Sequence, residues 1–306
     1  MTEAGAIRVG SRKSPLALVQ TEEVLSQLRR HYPATDFQVI GIATHGDSLR
    51  DAPLLSLGRG TFSKDIESAL LDGEIDLAVH SAKDLTATLP DGLTLGGAIR
   101  RADARDVQLN RWGLPLAELP AGARLGTSSP RRAALMRAAR PDLEVVPIRG
   151  NVGTRMDKVG GSEYDGVVLA AAGIERLGRK TEITEYLSVE SFTPDVGQGT
   201  LAVEIRTGDE RLAEMLRRID HVSTSTSLAA ERAFVRRFGG GCKVPVAAYA
   251  RVDGQRLPVL AMASVPDGSR ILRIVIVGDA THPAAAGIEA AEALLHDGAA
   301  EFIQPD

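Results

Sequence analysis

One cysteine, Cys242, stands in 306 residues. A single thiol excludes an intrachain disulfide and points to a reducing compartment. No Cys/His cluster has metal-ligand spacing, so no metal site is expected. Aromatic residues make up 4% of the chain against 43% hydrophobic in all, so aliphatic side chains must fill the cores. No apolar run approaches the ~20 residues of a membrane span. Residues 1–5 lack the basic-then-apolar pattern of a signal peptide. The expectation is a soluble, cytoplasmic protein with no membrane partner. A net charge of −4 gives no general case for nucleic-acid binding. Lysine is scarce too: of 36 basic residues, 6 are lysine and 30 arginine. Arginine is the better group for gripping a carboxylate or phosphate in a bidentate fork, so its placement matters.

What is present alternates between strand and helix. A short strand at 7–10 ends in glycine. Ser14-Pro15 then opens a helix, with serine as N-cap and proline in the first turn. Its apolar residues Leu16, Leu18, Val19, Val24, Leu25 and Leu28 form a loose helical stripe. Strands are expected at 37–43 and 76–80, with a helix at 62–71. Residues 44–61 lack a period and read as a long, mobile loop. A second set opens near Arg105, after Gly96-Gly97 and the charged segment 100–106. It has strands at 124–126, 144–148 and 165–170 and helices at 129–139 and 151–159. A strand at 201–205 and a helix at 209–219 follow. Such alternation argues for α/β domains with largely parallel sheets. The order then changes. After a helix at 225–238, three strands (246–252, 257–264, 270–277) and a helix (284–295) suggest a small α+β domain with an antiparallel sheet.

Several strand ends carry polar chemistry. Arg12-Lys13-Ser14 sits where a strand meets a helix N-terminus, a natural anion site or else a surface turn with a capping serine. His80-Ser81-Ala82-Lys83-Asp84 follows a buried strand at its carboxyl end, where open α/β sheets place ligands. A hydrolase triad there lacks the supporting G-x-S-x-G turn, and Asp84 fits a helix cap as well. In Gly126-Thr127-Ser128-Ser129-Pro130-Arg131-Arg132, two arginines occupy a helix's first turn. Cations are unfavourable against the positive end of a helix dipole, which is easier to understand if an anion binds between them. Arg149-Gly150-Asn151-Val152-Gly153-Thr154-Arg155 repeats the design, and Arg176 adds a cation after Ala170-Ala171-Ala172-Gly173. Together they imply a polyanionic ligand. The G-x-x-x-x-G-K-[ST] phosphate loop is absent. Gly239-Gly240-Gly241 permits close approach to Cys242, and Lys243 favours its thiolate. A free cysteine is also a common inert, buried hydrophobe. Residue type leaves both readings open.

Residues 12–18, 78–84, 126–132, 149–155, 196–199 and 240–242 resemble, in order and spacing, the motif series of the porphobilinogen deaminase family. The resemblance runs from about residue 7 to 300. It implies an enzyme that joins four porphobilinogen molecules head to tail, with loss of four ammonia, into linear hydroxymethylbilane. It implies a dipyrromethane cofactor in thioether linkage to Cys242, with Asp84 as the catalytic carboxylate. Ser81, Lys83, Asp84, Thr127, Ser129, Arg131, Arg132, Arg155 and Arg176 would contact the cofactor. Arg12, Ser14, Arg149, Arg155 and Gln198 would serve the incoming substrate or the lengthening chain.

The implied fold is two α/β domains like those of periplasmic anion-binding proteins, plus a C-terminal α+β domain that carries the cofactor. The boundaries expected are 1–99 with 197–218, then 105–193, then 222–306. The loop at 44–61 would act as a lid, and domain movement would make room for the product. A monomer is implied, with hand-over to a uroporphyrinogen-III synthase. Thr61, Thr86 and Pro130 depart from the family's usual residues without removing a charge the chemistry needs. The rival from another class is a non-catalytic anion- or effector-binding protein on the same two-domain fold. It leaves the glycine-flanked cysteine without a purpose.

Overall fold

The structure is a computed structural model that describes residues 6–44, 60, 63–239 and 244–302. Strand β1 (Ile7–Arg12) leads to helix α1 (Pro15–His31) and strand β2 (Phe37–Ile42). Helix α2 (Lys64–Leu71), then β3 (Leu77–Ser81), β4 (Leu93–Ala98) and β5 (Asp106–Asn110) follow. Next come β6 (Arg124–Gly126), α3 (Pro130–Ala139), β7 (Glu144–Val146) and α4 (Val152–Asp157). After β8 (Gly166–Ala170), α5 (Ala171–Arg176) and β9 (Glu185–Tyr186) come β10 (Leu201–Arg206), α6 (Glu210–Arg217) and α7 (Val222–Phe238). The last elements are β11 (Val246–Ala250), β12 (Arg256–Ser264), β13 (Ile271–Asp279) and α8 (Pro283–His296).

The chain divides into two compact units. The first holds the described residues up to Arg101 together with Thr200–Ser225; the second holds Ala102–Gly199 and the residues from Thr226 on. Each carries a five-stranded sheet of one plan, β2-β1-β3-β10-β4 in the first and β7-β6-β8-β5-β9 in the second. Four strands of each run one way, and β10 or β5 runs against them. The third sheet, β11-β12-β13, is antiparallel throughout. The α/β class with an antiparallel C-terminal sheet is therefore present.

The first core forms where Val24, Leu25 and Leu28 of α1 and Leu212 and Leu216 of α6 meet Val9, Leu77 and Val203 of the sheet. The buried stripe of α1 is Thr21, Val24, Leu25 and Leu28, the i, i+3, i+4, i+7 spacing of one helix face. Leu18 and Val19, counted in the stripe from sequence, are exposed. Gly96-Gly97, which in the sequence precedes the second set of elements, lies inside β4. The register against β10 shifts between Val203 and Glu204, leaving Gly96 as the extra residue of a bulge. A Cβ on Gly96 would stand 2.4 Å from Leu216, so its absence lets α6 pack onto the strand.

In the second unit, Leu125, Val168, Leu135 and Met136 pack with Ala247 and Met262 of the C-terminal sheet in one apolar cluster. Segments 105–193 and 222–306 thus share a core. Helices α7 and α8 cross closely, because a Cβ on Gly287 would stand 2.0 Å from the Ala230 oxygen. Backbone cannot yield as a side chain does. Gly287→Val is expected to destabilise the fold by about 1–3 kcal/mol through overpacking. A lower urea midpoint would show this, and an unchanged midpoint would contradict it.

Candidate active site

Parallel pairing brings the polar strand ends together. β1 and β3 align Val9 with Leu77 and Gly10 with Ala78, so Arg12 and Ser81 emerge at one edge of the first sheet. Ser14 caps α1, its hydroxyl accepting from Ala17 N at 3.3 Å, with Pro15 opening the helix. After β3 the chain makes a single 3-10 turn, Ala82–Asp84, tied down by Ala82 N donating to the Thr200 oxygen at 3.0 Å. Lys83 and Asp84 are half-buried on that turn. Asp84 closes the turn rather than capping a helix, which settles the alternative open from sequence. Its backbone oxygen accepts from Gly60 N at 3.2 Å, while its carboxylate has no hydrogen bond or ion pair among the described residues. A half-buried carboxylate of this kind is available to a developing positive charge.

His80 faces the other way. Successive strand residues point to opposite faces of a sheet, and His80 is buried beside Glu204 of β10. Its Nε2 stands 2.9 Å from Glu204 Oε2, close enough for an ion pair though not aligned as a hydrogen bond. Burial pushes the nearby Glu67 carboxyl above its usual range, with a hydrogen bond from Ser63 opposing. An imidazole buried beside Glu204 on the opposite face of the sheet is not placed to serve Ser81 as a base, which removes the hydrolase triad.

In the second unit β6, β7 and β8 run parallel, so the turns after Gly126, Val146 and Ala170 open on one edge. Thr127 is buried, and its hydroxyl accepts from Ser129 N at 3.2 Å. Ser129 caps α3 by accepting from Arg132 N at 3.4 Å, with Pro130 in the first turn. Proline suits that position, where its missing N–H costs nothing. Arg149 is half-buried, and Asn151 caps α4 by accepting from Thr154 N at 2.8 Å. Arg155 Nε donates to the Gly150 oxygen at 2.7 Å across a turn in which Gly150 has φ of +114°. Arg176 ends α5 and donates through Nη2 to the Gly199 oxygen at 3.3 Å.

Arg131 and Arg132 are only 4% and 7% exposed, and cations so buried need an anion. Part of it is internal: Asp106, which no local pattern marks in the sequence. Its Oδ2 accepts from Arg131 Nη1 at 2.7 Å, and its Oδ1 accepts from Arg132 Nε at 2.9 Å. Burial alone would push the Asp106 carboxyl up; the charges of Arg131 and Arg132 outweigh it and hold that carboxyl far below its usual range. Gln198, expected at the substrate, is fully buried. Its amide donates to Asp106 Oδ1 at 2.8 Å and to the Ala104 oxygen at 2.7 Å, and its carbonyl accepts from Arg132 Nη2 at 3.0 Å.

Arg131 keeps one side open. Its Nη1 bonds Asp106 and the Thr193 oxygen, both at 2.7 Å, while the buried Nε has no partner among the described residues. An orphaned donor in a buried guanidinium is an invitation to an acidic ligand. Cys242 and its neighbours Gly240, Gly241 and Lys243 lie outside the described residues, as does the 44–61 loop apart from Thr44 and Gly60. Among the described residues, no group of acidic, histidine or cysteine side chains could hold a metal ion, and no helix is long and apolar enough to cross a membrane.

Comparison with known proteins supplies the family. The model of the porphobilinogen deaminase dipyromethane cofactor binding domain matches residues 7–214, and that of the porphobilinogen deaminase C-terminal domain matches 226–296. A porphobilinogen deaminase of Alkaliphilus metalliredigens is 45% identical over 299 residues, covering 97% of this chain and 95% of that protein. One of Roseiflexus castenholzii is 46% identical over 294 residues, covering 96% and 97%. Among solved structures, the methionine binding protein MetQ covers 72% of this chain and 90% of its own at 14% identity and a TM-score of 0.43. That likeness is too loose to bear on function. The two family models and the near full-length relatives agree, and the chain belongs to the porphobilinogen deaminase family.

Proposed function

We propose that this chain joins four porphobilinogen molecules into linear hydroxymethylbilane, releasing four ammonia, and that it is primed by a dipyrromethane on Cys242. The observation that carries the reading is the match of 7–214 to the family's cofactor-binding domain. The residues present suit that group. Each of its pyrroles bears an acetate and a propionate. In the second unit Thr127, Ser129, Arg131 and Arg132 follow β6, Arg155 lies in α4 after β7 and Arg176 ends α5 after β8, and the Arg131 Nε donor has no partner among the described residues. These residues would hold the carboxylates by charge-assisted hydrogen bonds. When bound, the dipyrromethane supplies the free pyrrole α-carbon on which the product is built.

At each addition, the C–N bond of a porphobilinogen aminomethyl group breaks and ammonia leaves. That leaves an electron-poor methylene carbon open to attack, one proton is lost for each bond formed, and one water per product supplies the hydroxyl of hydroxymethylbilane. Asp84 is the acid we assign to this step. Half-buried and without a partner among the described residues, its carboxylate would stabilise positive charge on the pyrrole nitrogens and assist the proton transfers. Lys83 and Ser81 flank it and would anchor ring carboxylates. Arg12, Ser14 and Arg149 are assigned to incoming substrate. Gln198, bound to Arg132 and Asp106, supports the second unit's arginines rather than meeting substrate itself.

We keep 105–193 and 222–306 as two domains on one shared core, the last carrying the cofactor, and 1–99 with the return segment that begins at Thr200 as the first domain. The enzyme works as a cytoplasmic monomer without nucleic acid and passes its product to a uroporphyrinogen-III synthase. Intact mass tests the priming step. Purified protein is expected to exceed the mass of the bare chain by one dipyrrole. A bare chain that stays bare after incubation with porphobilinogen, yet binds it, would favour the non-catalytic anion-binding reading instead.

A further inference from the structure

Asp106 owes its place to strand direction. β5 is the strand of its sheet that runs against the others, and Asp106, its first residue, pairs with Ala170, the last of β8. An antiparallel strand therefore begins where the parallel strands end. This puts a carboxylate among the arginines that follow β6. Asp106 is fully buried and divides its oxygens, Oδ2 to Arg131 and Oδ1 to Arg132 and the Gln198 amide. Arg132 Nη2 also stands 2.8 Å from Oδ1. Two cations thus share one internal acid, and each is held through a different face of it.

The consequence differs for the two. Arg132 is held on several sides, its Nε and Nη2 by Asp106, Nη2 also by Gln198, and Nη1 by the Val168 oxygen at 3.3 Å. Among the described residues, Arg131 is held through Nη1, by Asp106 and the Thr193 oxygen, and its Nε has no partner. A guanidinium pinned at one corner presents its remaining donors in a fixed direction, so a carboxylate meets a fork already set.

We infer that Asp106 is a positioning residue that, with Gln198, sets Arg131 and Arg132 to receive a ligand carboxylate. The inference rests on the proposed function, since the ligand is the polycarboxylate of that reading. It adds that an acid without contact to ligand governs how well the arginines grip. Loss of the acid's charge should weaken capture of the dipyrrole and raise KM, while a loaded enzyme keeps its kcat.

The test compares apoprotein of the wild type, Asp106→Asn, Asp106→Glu and Gln198→Ala, each incubated with porphobilinogen and followed by intact mass. Asp106→Asn is expected to acquire the dipyrrole at least ~10-fold more slowly. Its loaded fraction should show a raised KM with kcat within about twofold of the wild type, and Asp106→Glu should recover part of the loading rate. Folded Asp106→Asn that loads at the wild-type rate would overturn the inference. So would a loss confined to kcat. Should Asp106→Asn fail to fold, Gln198→Ala decides: slower loading supports the inference, and wild-type loading overturns it. Wild-type apoprotein that never loads would instead overturn the functional reading on which the inference stands.

Discussion

Asp84→Ala is expected to fold, to carry its dipyrrole and to turn over about 10²–10⁴-fold more slowly than the wild type, the usual contribution of a positioned acid–base group. That is a loss of roughly 3–5 kcal/mol of transition-state stabilisation. Folding should be spared because the carboxylate bonds nothing among the described residues. The 3-10 turn is held by backbone, Ala82 N to the Thr200 oxygen and Gly60 N to the Asp84 oxygen. Asp84→Asn separates charge from shape. It keeps an oxygen acceptor of the same size, so a comparable loss would assign the effect to the negative charge. Steady-state turnover of porphobilinogen beside a thermal melt reads both quantities. Near-normal turnover by either folded variant would remove Asp84 from the chemistry.

Cys242→Ser should abolish priming. A serine hydroxyl is a far weaker nucleophile than a thiolate near neutral pH, and the chain has no second cysteine to take over. The purified variant is expected at the mass of the bare chain, with turnover at least ~10³-fold below the wild type. It should fold, because the neighbouring elements stand on their own packing: α7 buries Ala230, Phe234 and Val235, and β11 buries Val246, Ala247 and Ala248. A Cys242→Ser protein that still carried a dipyrrole would place the attachment elsewhere.

Much of this arrangement was legible in the sequence because local rules decide it. Ser14 and Ser129 each precede a proline and cap their helices, and Asn151 and Asp209 cap theirs with the same short acceptor chemistry. The strand ends that carry arginine follow from alternating strands and helices, so the polar edge of each sheet was read correctly. Strands β4 and β5 were missed. β4 contains Gly96-Gly97, which looks like a linker until α6 is seen packed against it. β5 opens on Asp106, the last acid of a charged stretch that has no period of its own. Its partnership with Arg131 and Arg132 spans about 25 residues and depends on β5 running against its neighbours. Glu204 likewise sits in a recognisable strand, but its burial beside His80 comes from β3 pairing with β10 across the sheet. Local patterning reveals which residues are polar at a strand end. It does not reveal which internal acid they share.

A chain that builds a tetrapyrrole from porphobilinogen must release ammonia in step with its product. The most direct test is stoichiometry: purified, dipyrrole-loaded protein is supplied with porphobilinogen, and ammonia and linear tetrapyrrole are measured together. Four porphobilinogen are expected to be consumed and four ammonia released for each hydroxymethylbilane. Fully loaded, folded protein that binds porphobilinogen and releases no ammonia would contradict this.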